Sequence, residues 1–157
     1  MRINTLAVAL ALVTVPVAGI SGYTFPVPVD IVTYAADELY PGSLPGGTAQ
    51  GDMITARNSH NKYEFIGCGI RAFDDGVGGV YYWGFCQANI SADPDTAPEI
   101  EAQCFTEDPG ILDGIKSVAD SSYLIFEWEE TAPAVYECTM IGSSTQSFYL
   151  EKGKSNK

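Results

Sequence analysis

The residues best suited to chemistry are four cysteines, Cys68, Cys86, Cys104 and Cys138, and a single histidine, His60. Free thiols would offer nucleophiles or metal ligands. The cysteine spacings of 18, 18 and 34 contain no close Cys-Cys or Cys-His pair of the kind that closes a tetrahedral zinc site. Two disulfides are the expected state, and four cysteines allow three connectivities. If the connection from Ala88 to Ile100 is a hairpin centred on Asp95, Cys86 faces Cys104 across the strands. Such a pair can be bridged when its Cα atoms lie within about 7 Å. This reading favours Cys86–Cys104 and leaves Cys68 for Cys138. Chain entropy gives each bond roughly 3–4 kcal/mol.

Any Ser–His–Asp or Cys–His site has to use His60, which sits in the turn sequence Asn58-Ser59-His60-Asn61. The nucleophile-elbow pattern GxSxG is absent from the sequence. Paired carboxylates are plentiful: Asp74/Asp75, Asp93/Asp95, Glu99/Glu101 and Glu127/Glu129/Glu130. A glycosidase needs two across a cleft, one with its pKa raised by burial. Glu99/Glu101 and Glu127/Glu129 instead alternate with apolar residues, which points them to solvent. A small secreted hydrolase built from carboxylates and His60 is therefore the alternative reading. Asp74-Asp75-Gly76, and Asp93-Pro94-Asp95 with Glu99, offer oxygens to a calcium ion, which takes about six to eight. Both are also ordinary turn chemistry, so weak calcium binding is the most that is expected by way of a cofactor.

Aromatic residues form the last candidate group. In Val80 to Ala88, Tyr81, Trp83 and Phe85 alternate with Val80, Tyr82 and Cys86. Both phases are apolar, the mark of a central strand covered on both sides. If the helix leaves the Tyr81, Trp83 and Phe85 phase uncovered, those rings form a binding surface for a protein or a glycan. Trp128 and Tyr123 could extend it. Asn89-Ile90-Ser91 matches an N-glycosylation acceptor, relevant only in a eukaryotic secretory host.

Several elements must hold these residues. Residues 1–22 have the layout of a secretory signal peptide: Arg2, an apolar run from Leu6 to Val13, then Pro16 and small residues to Gly22. Residues 23–51 carry Pro26, Pro28, Pro41 and Pro45 and a Pro/Gly cluster at 41–47, and read as an N-terminal arm with at most one strand, Val29 to Tyr34. A disulfide-stapled domain is expected over 52–150, with a flexible tail at 151–157. Within it, alternation predicts strands at Met53 to Arg57, Lys62 to Phe73, Val80 to Ala88, Glu99 to Phe105, Ser122 to Glu130, Ala134 to Ile141 and Gln146 to Leu150. A bulge is expected near Ile66-Gly67, a hairpin turn at Asp74 to Gly79, and Tyr136, Cys138 and Met140 on one face. One short helix near 108–120 has Asp108 as its cap and Pro109 at its first position. Its apolar face is Ile111, Leu112, Ile115, Val118 and Ala119.

The fold class is thus α+β and strand-dominated: an antiparallel sheet of six or seven strands, sandwich- or barrel-like, with one short helix. Eight basic against 20 acidic residues give a formal charge of −12 and a pI near 4.2. That balance excludes an electrostatic grip on nucleic acid or anionic membranes. No second apolar stretch approaches the roughly 20 residues of a membrane span.

The order Ile66-Gly67-Cys68, Gly84-Phe85-Cys86-Gln87-Ala88, Cys104-Phe105-Thr106, Ser122-Tyr123-Leu124-Ile125-Phe126 and a late Cys138 resembles small exported proteins of Gram-negative bacteria without assigned function. The resemblance spans about 52–150 and implies no catalytic or binding residue. Taken together, these features predict an exported, periplasmic or extracellular, acidic domain. It is expected to be a non-catalytic binding or structural module of the bacterial envelope or exterior.

Overall fold

A computed structural model describes residues 27–90, 101–120 and 122–145. The expected signal sequence, the Ser91 to Ile100 connection with Asp93, Asp95 and Glu99, the strand expected at Gln146 to Leu150 and the expected tail lie outside the described residues. Seven strands and two helices follow in the order β1 (Asp30–Tyr34), β2 (Gly46–Asp52), α1 (Met53–Asn58), β3 (Phe65–Asp74), β4 (Val80–Asn89), β5 (Glu101–Thr106), α2 (Pro109–Lys116), β6 (Tyr123–Ala132) and β7 (Val135–Ser144). They make one sheet in the order β1-β2-β6-β7-β5-β4-β3. The strand-dominated α+β class holds. The sheet is mixed rather than antiparallel throughout, because β7 runs parallel to β5. It is a single sheet, so not a sandwich. It bends until β2 and α1 touch β3, without closing into a barrel.

Two antiparallel sub-sheets are visible in the ladders. One comprises β1, β2, β6 and β7, the other β5, β4 and β3. A single parallel bridge, Phe105 to Glu137, joins them. This seam is the weakest line in the sheet's backbone hydrogen bonding among the described residues.

One face of the sheet encloses the core. Ala49, Ile66, Cys86, Ala88, Ala102, Cys104, Leu124, Phe126, Trp128 and Cys138 are buried on it. Small residues on β4 let α2 seat there. A Cβ at Gly84 would come within 2.7 Å of Ile115 and 2.8 Å of Leu112, the two buried residues of α2. Asp108 caps that helix as the sequence predicts, its Oδ1 accepting from the backbone N–H groups of Gly110 and Ile111 at 2.8 and 3.0 Å. Pro109 occupies the first turn. The helix ends at Lys116, earlier than expected, and Val118 packs on the core from the following turn.

The region read as a surface arm is the largest correction. Gly46–Asp52 is an interior strand, paired with β1 on one side and β6 on the other. Its glycines do not mark a linker; they make room. A Cβ at Gly47 would lie 2.4 Å from the Trp128 indole and 2.5 Å from the Val32 carbonyl oxygen. The domain therefore begins before residue 52. The expected strand at Met53 to Arg57 is the helix α1, because Asp52 caps it and turns the chain. No bulge occurs at Ile66-Gly67, where β3 and β4 pair without a register shift. The irregularities fall in β6/β7 instead, at Glu127/Trp128 and Glu130/Ala132. The first of them puts Met140 opposite Glu127, off the face of Cys138, against the single face expected for Tyr136, Cys138 and Met140.

Asp52 is fully buried. Its carboxylate accepts from the N–H of Thr55 (2.7 Å), the N–H of Val27 (2.9 Å) and the Thr55 hydroxyl. It ties the segment before β1 to the junction of β2 and α1. Asp52→Ala should cost about 2 kcal/mol, the value of a cap plus orphaned buried amides. Asp52→Asn should cost less, since its amide oxygen still accepts. Urea unfolding of both variants tests this ranking, and equal losses would refute it.

Candidate functional site

The disulfides are Cys68–Cys86 and Cys104–Cys138, with Cα separations of 4.0 and 5.0 Å. The strand register that suggested another pairing is nonetheless present: Cys86 is the direct partner of Cys104. Cys86 is also the direct partner of Cys68 on its other side. Register alone therefore does not choose between them. Cys138 decides the matter. It lies on β7, beside β5, while Cys68 lies on β3, three strand spacings or roughly 14 Å away. That distance cannot be bridged, so the Cys68–Cys138 and Cys86–Cys104 pairing is not the one formed. Cys104–Cys138 instead crosses the seam, where one backbone bridge would otherwise act alone.

No described element covers the face opposite the core, and that face has two halves. On the β3-β4-β5 half, Tyr81, Trp83 and Phe85 share it, because the alternate residues Gly84 and Cys86 point to α2 and the core. The helix does not cover them. Tyr81 is half exposed, whereas Trp83 and Phe85 are partly buried against neighbouring rings. Tyr81 stacks on Phe73 with centroids 5.2 Å apart. Trp83 stacks on Phe105 at 4.4 Å and an interplanar angle of 7°. Phe85 lies tilted beside Trp83, over Gly69 and under the Arg71 guanidinium. β4 is paired on both sides but, among the described elements, not covered on both faces, contrary to its two apolar phases. Trp128 and Tyr123 do not extend the patch, being buried with the core.

Across the seam the same face turns acidic. Glu137 is the bridge partner of Phe105, and Glu129 pairs with Glu137 along β6/β7. The Tyr34 hydroxyl donates to the Trp128 carbonyl at 3.4 Å. Burial, and then the charges of Glu129 and Glu127, hold its pKa above the ordinary tyrosine value.

Where β5 ends and β7 begins, a groove of about 850 Å³ opens. Trp83, Phe105 and Tyr136 supply aromatic wall, and Glu107, Asp108 and Glu137 supply carboxylates. A second groove of about 540 Å³ shares Phe105 and Tyr136 and continues past Glu101, Trp128 and Glu130 towards Tyr34. Among the described residues, no Lys or Arg lines either groove, and neither does His60. No protein-family model, curated protein or solved structure matches the chain.

Of the other candidates, His60 is exposed beyond the end of α1. Its neighbour Ser59 hydrogen-bonds Glu64. The Asp74-Asp75-Gly76 carboxylates are spent on their own turn. Asp74 accepts from Gly76 N–H at 2.7 Å, and Asp75 from the N–H groups of Val77 and Gly79 at 2.9 Å. Those bonds, from Val77 first and then Gly79, pull the Asp75 pKa below its ordinary value. A depressed pKa makes the turn contribution present above the usual carboxylate range and lost as pH falls through the folded value. In an NMR titration the Val77 and Gly79 amide shifts should therefore move together, with a midpoint below the unperturbed Asp value of about 3.9. A midpoint at or above it would contradict the assignment. Phe105, Glu107 and Glu137 were not singled out by sequence reasoning, although Phe105 follows Cys104 in an alternating segment that marks it as outward.

Proposed function

We propose that the protein is an exported, non-catalytic binding module that takes a cationic ligand on its open face, seated in the groove at the seam. The observation that carries this reading is the Trp83–Phe105 stack placed beside Glu107 and Glu137, in a groove lined by no basic side chain among the described residues. Aromatic faces attract cations and the apolar stems that carry them. Carboxylates alongside add charge complementarity, and a chain of net charge −12 steers positive partners towards it. Lysine- or arginine-bearing protein segments and amino-sugar glycans present that chemistry. Export is supported by two disulfides, which persist in oxidising compartments. It is supported further by the apolar N-terminal run of the sequence, and no helix among the described residues is long and apolar enough to cross a membrane. A hydrolytic site has less support, since His60 lines neither groove.

Intrinsic fluorescence tests the proposal directly, because Trp83 lies in the groove. Titration with lysine/arginine-rich peptides and with amino-sugar oligomers should give saturable changes that weaken as salt is raised. Neutral and acidic counterparts should give none. Equal responses to neutral and cationic ligands would refute the charge argument, and no response to any cationic ligand would refute the function.

A further inference from the structure

The two disulfides are not independent. Cys68, Cys86 and Cys104 occupy successive partner positions on β3, β4 and β5, and Cys138 stands beside Cys104 on β7. The four sulfurs thus form a row across the sheet. Within it, the Sγ atoms of Cys86, Cys104 and Cys138 all lie within 4.8 Å of one another. Cys86 is therefore bonded to Cys68 while its sulfur already abuts the neighbouring disulfide.

We infer that this row is a thiol–disulfide relay, in which reduction of Cys68–Cys86 moves the second disulfide from Cys104–Cys138 to Cys86–Cys104. Entry is asymmetric. Cys68 is half-buried on the edge strand β3, whereas Cys86 and Cys104 are fully buried and Cys138 nearly so. An external dithiol attacks at Cys68 and is itself oxidised to a disulfide; two electrons and two protons pass to Cys68 and Cys86. The Cys86 thiolate then attacks Cys104 Sγ. The Cys86–Cys104 bond forms, the Cys104–Cys138 bond breaks, and Cys138 leaves as the thiolate and takes up the proton Cys86 lost. The second step consumes no electrons. Cys86 and Cys104 are directly opposed in an antiparallel pair, where Cα atoms stand about 4.5–5.5 Å apart, within disulfide reach. Cys68 and Cys138 are too far apart to pair afterwards, so the product keeps two thiols.

The consequence is topological. The covalent tie leaves the seam and moves inside the β3-β4-β5 half. Among the described residues, the two sub-sheets are then held at the seam by the Phe105–Glu137 bridge and by packing alone.

The test is linkage mapping on the full oxidised chain. One equivalent of a dithiol at mildly alkaline pH is followed by rapid alkylation. Cleavage with trypsin and a glutamate-specific protease separates Cys86 from Cys104 at Glu101. Singly reduced chains should mostly carry Cys86–Cys104, with the alkyl groups on Cys68 and Cys138. Chains with Cys104–Cys138 intact and both Cys68 and Cys86 alkylated would overturn the relay. So would a rearranged bond found only in chains that have lost the native near-ultraviolet circular dichroism. Cys68→Ala gives a second reading without reductant, since Cys86 is then a thiol from the outset. The Cys86–Cys104 isomer is expected to predominate in the folded variant as well, and Cys104–Cys138 alone would contradict the proposal.

Discussion

Replacing Cys104 and Cys138 together by alanine should lower stability by about 3–4 kcal/mol and the melting temperature by on the order of 10–15 °C. Chain entropy supplies the magnitude, because the bond closes a loop of 34 residues. Its position makes the loss structural as well. Among the described residues β5 and β7 share one backbone bridge, so only that bridge and packing are left in place of the bond. Amide exchange in the double variant should therefore lose protection first on either side of Phe105 and Glu137. Cys68–Cys86 provides the contrast. It links strands that a short hairpin already joins through an uninterrupted ladder from Phe65/Asn89 to Asp74/Val80. Its removal should cost less and leave the seam protected. Guanidinium unfolding and hydrogen exchange on both double variants test the comparison. A loss below about 1 kcal/mol at Cys104/Cys138, or equal exchange patterns, would show that the seam is held by packing.

Trp83→Ala should weaken binding of a cationic ligand by roughly 10- to 100-fold, the range expected for truncating an aromatic anchor. Trp83 shares its stacked face with Phe105, so Phe105→Ala should act in the same direction by removing the wall that orients the indole. Glu137→Gln should weaken binding less and flatten its salt dependence. Thermal stability should change little with Trp83→Ala, because the ring lies on the open face and only partly buried. Isothermal titration beside a thermal melt separates the two effects. A variant that melts like the parent and binds like the parent would remove Trp83 from the site.

The alternating segments were legible because hairpin geometry is local. Partner positions across β4 and β5 sum to one constant centred on Asp95, and the whole ladder from Gly84/Thr106 to Asn89/Glu101 obeys it. The Asp108-Pro109 start of α2 was legible for the same reason, since a cap acts within one turn. β2 was not. Its sequence, Gly46 to Asp52, has no large apolar residue to alternate, and Gly46 and Gly47 serve the distant Trp128 rather than a turn. The phase of Tyr81, Trp83 and Phe85 could be read along one strand. Glu137 and the groove depend on β5 lying parallel to β7, a long-range pairing that no turn encodes. The disulfide pattern shows the same division. Register correctly placed Cys86 opposite Cys104, but the bond partner was set by Cys138, whose strand neighbours only the assembled sheet defines.

The measurement that bears most directly on the groove is an amide chemical-shift map of the isotopically labelled protein, titrated with a lysine/arginine-rich peptide. The predicted result is a contiguous set of perturbations at Trp83, including its indole N–H, and at Phe105, Glu107, Tyr136 and Glu137, with β1 and the β3–β4 turn unmoved. Perturbations concentrated at those distant elements, or scattered over the acidic surface without saturating, would contradict the assignment of the seam as the binding site.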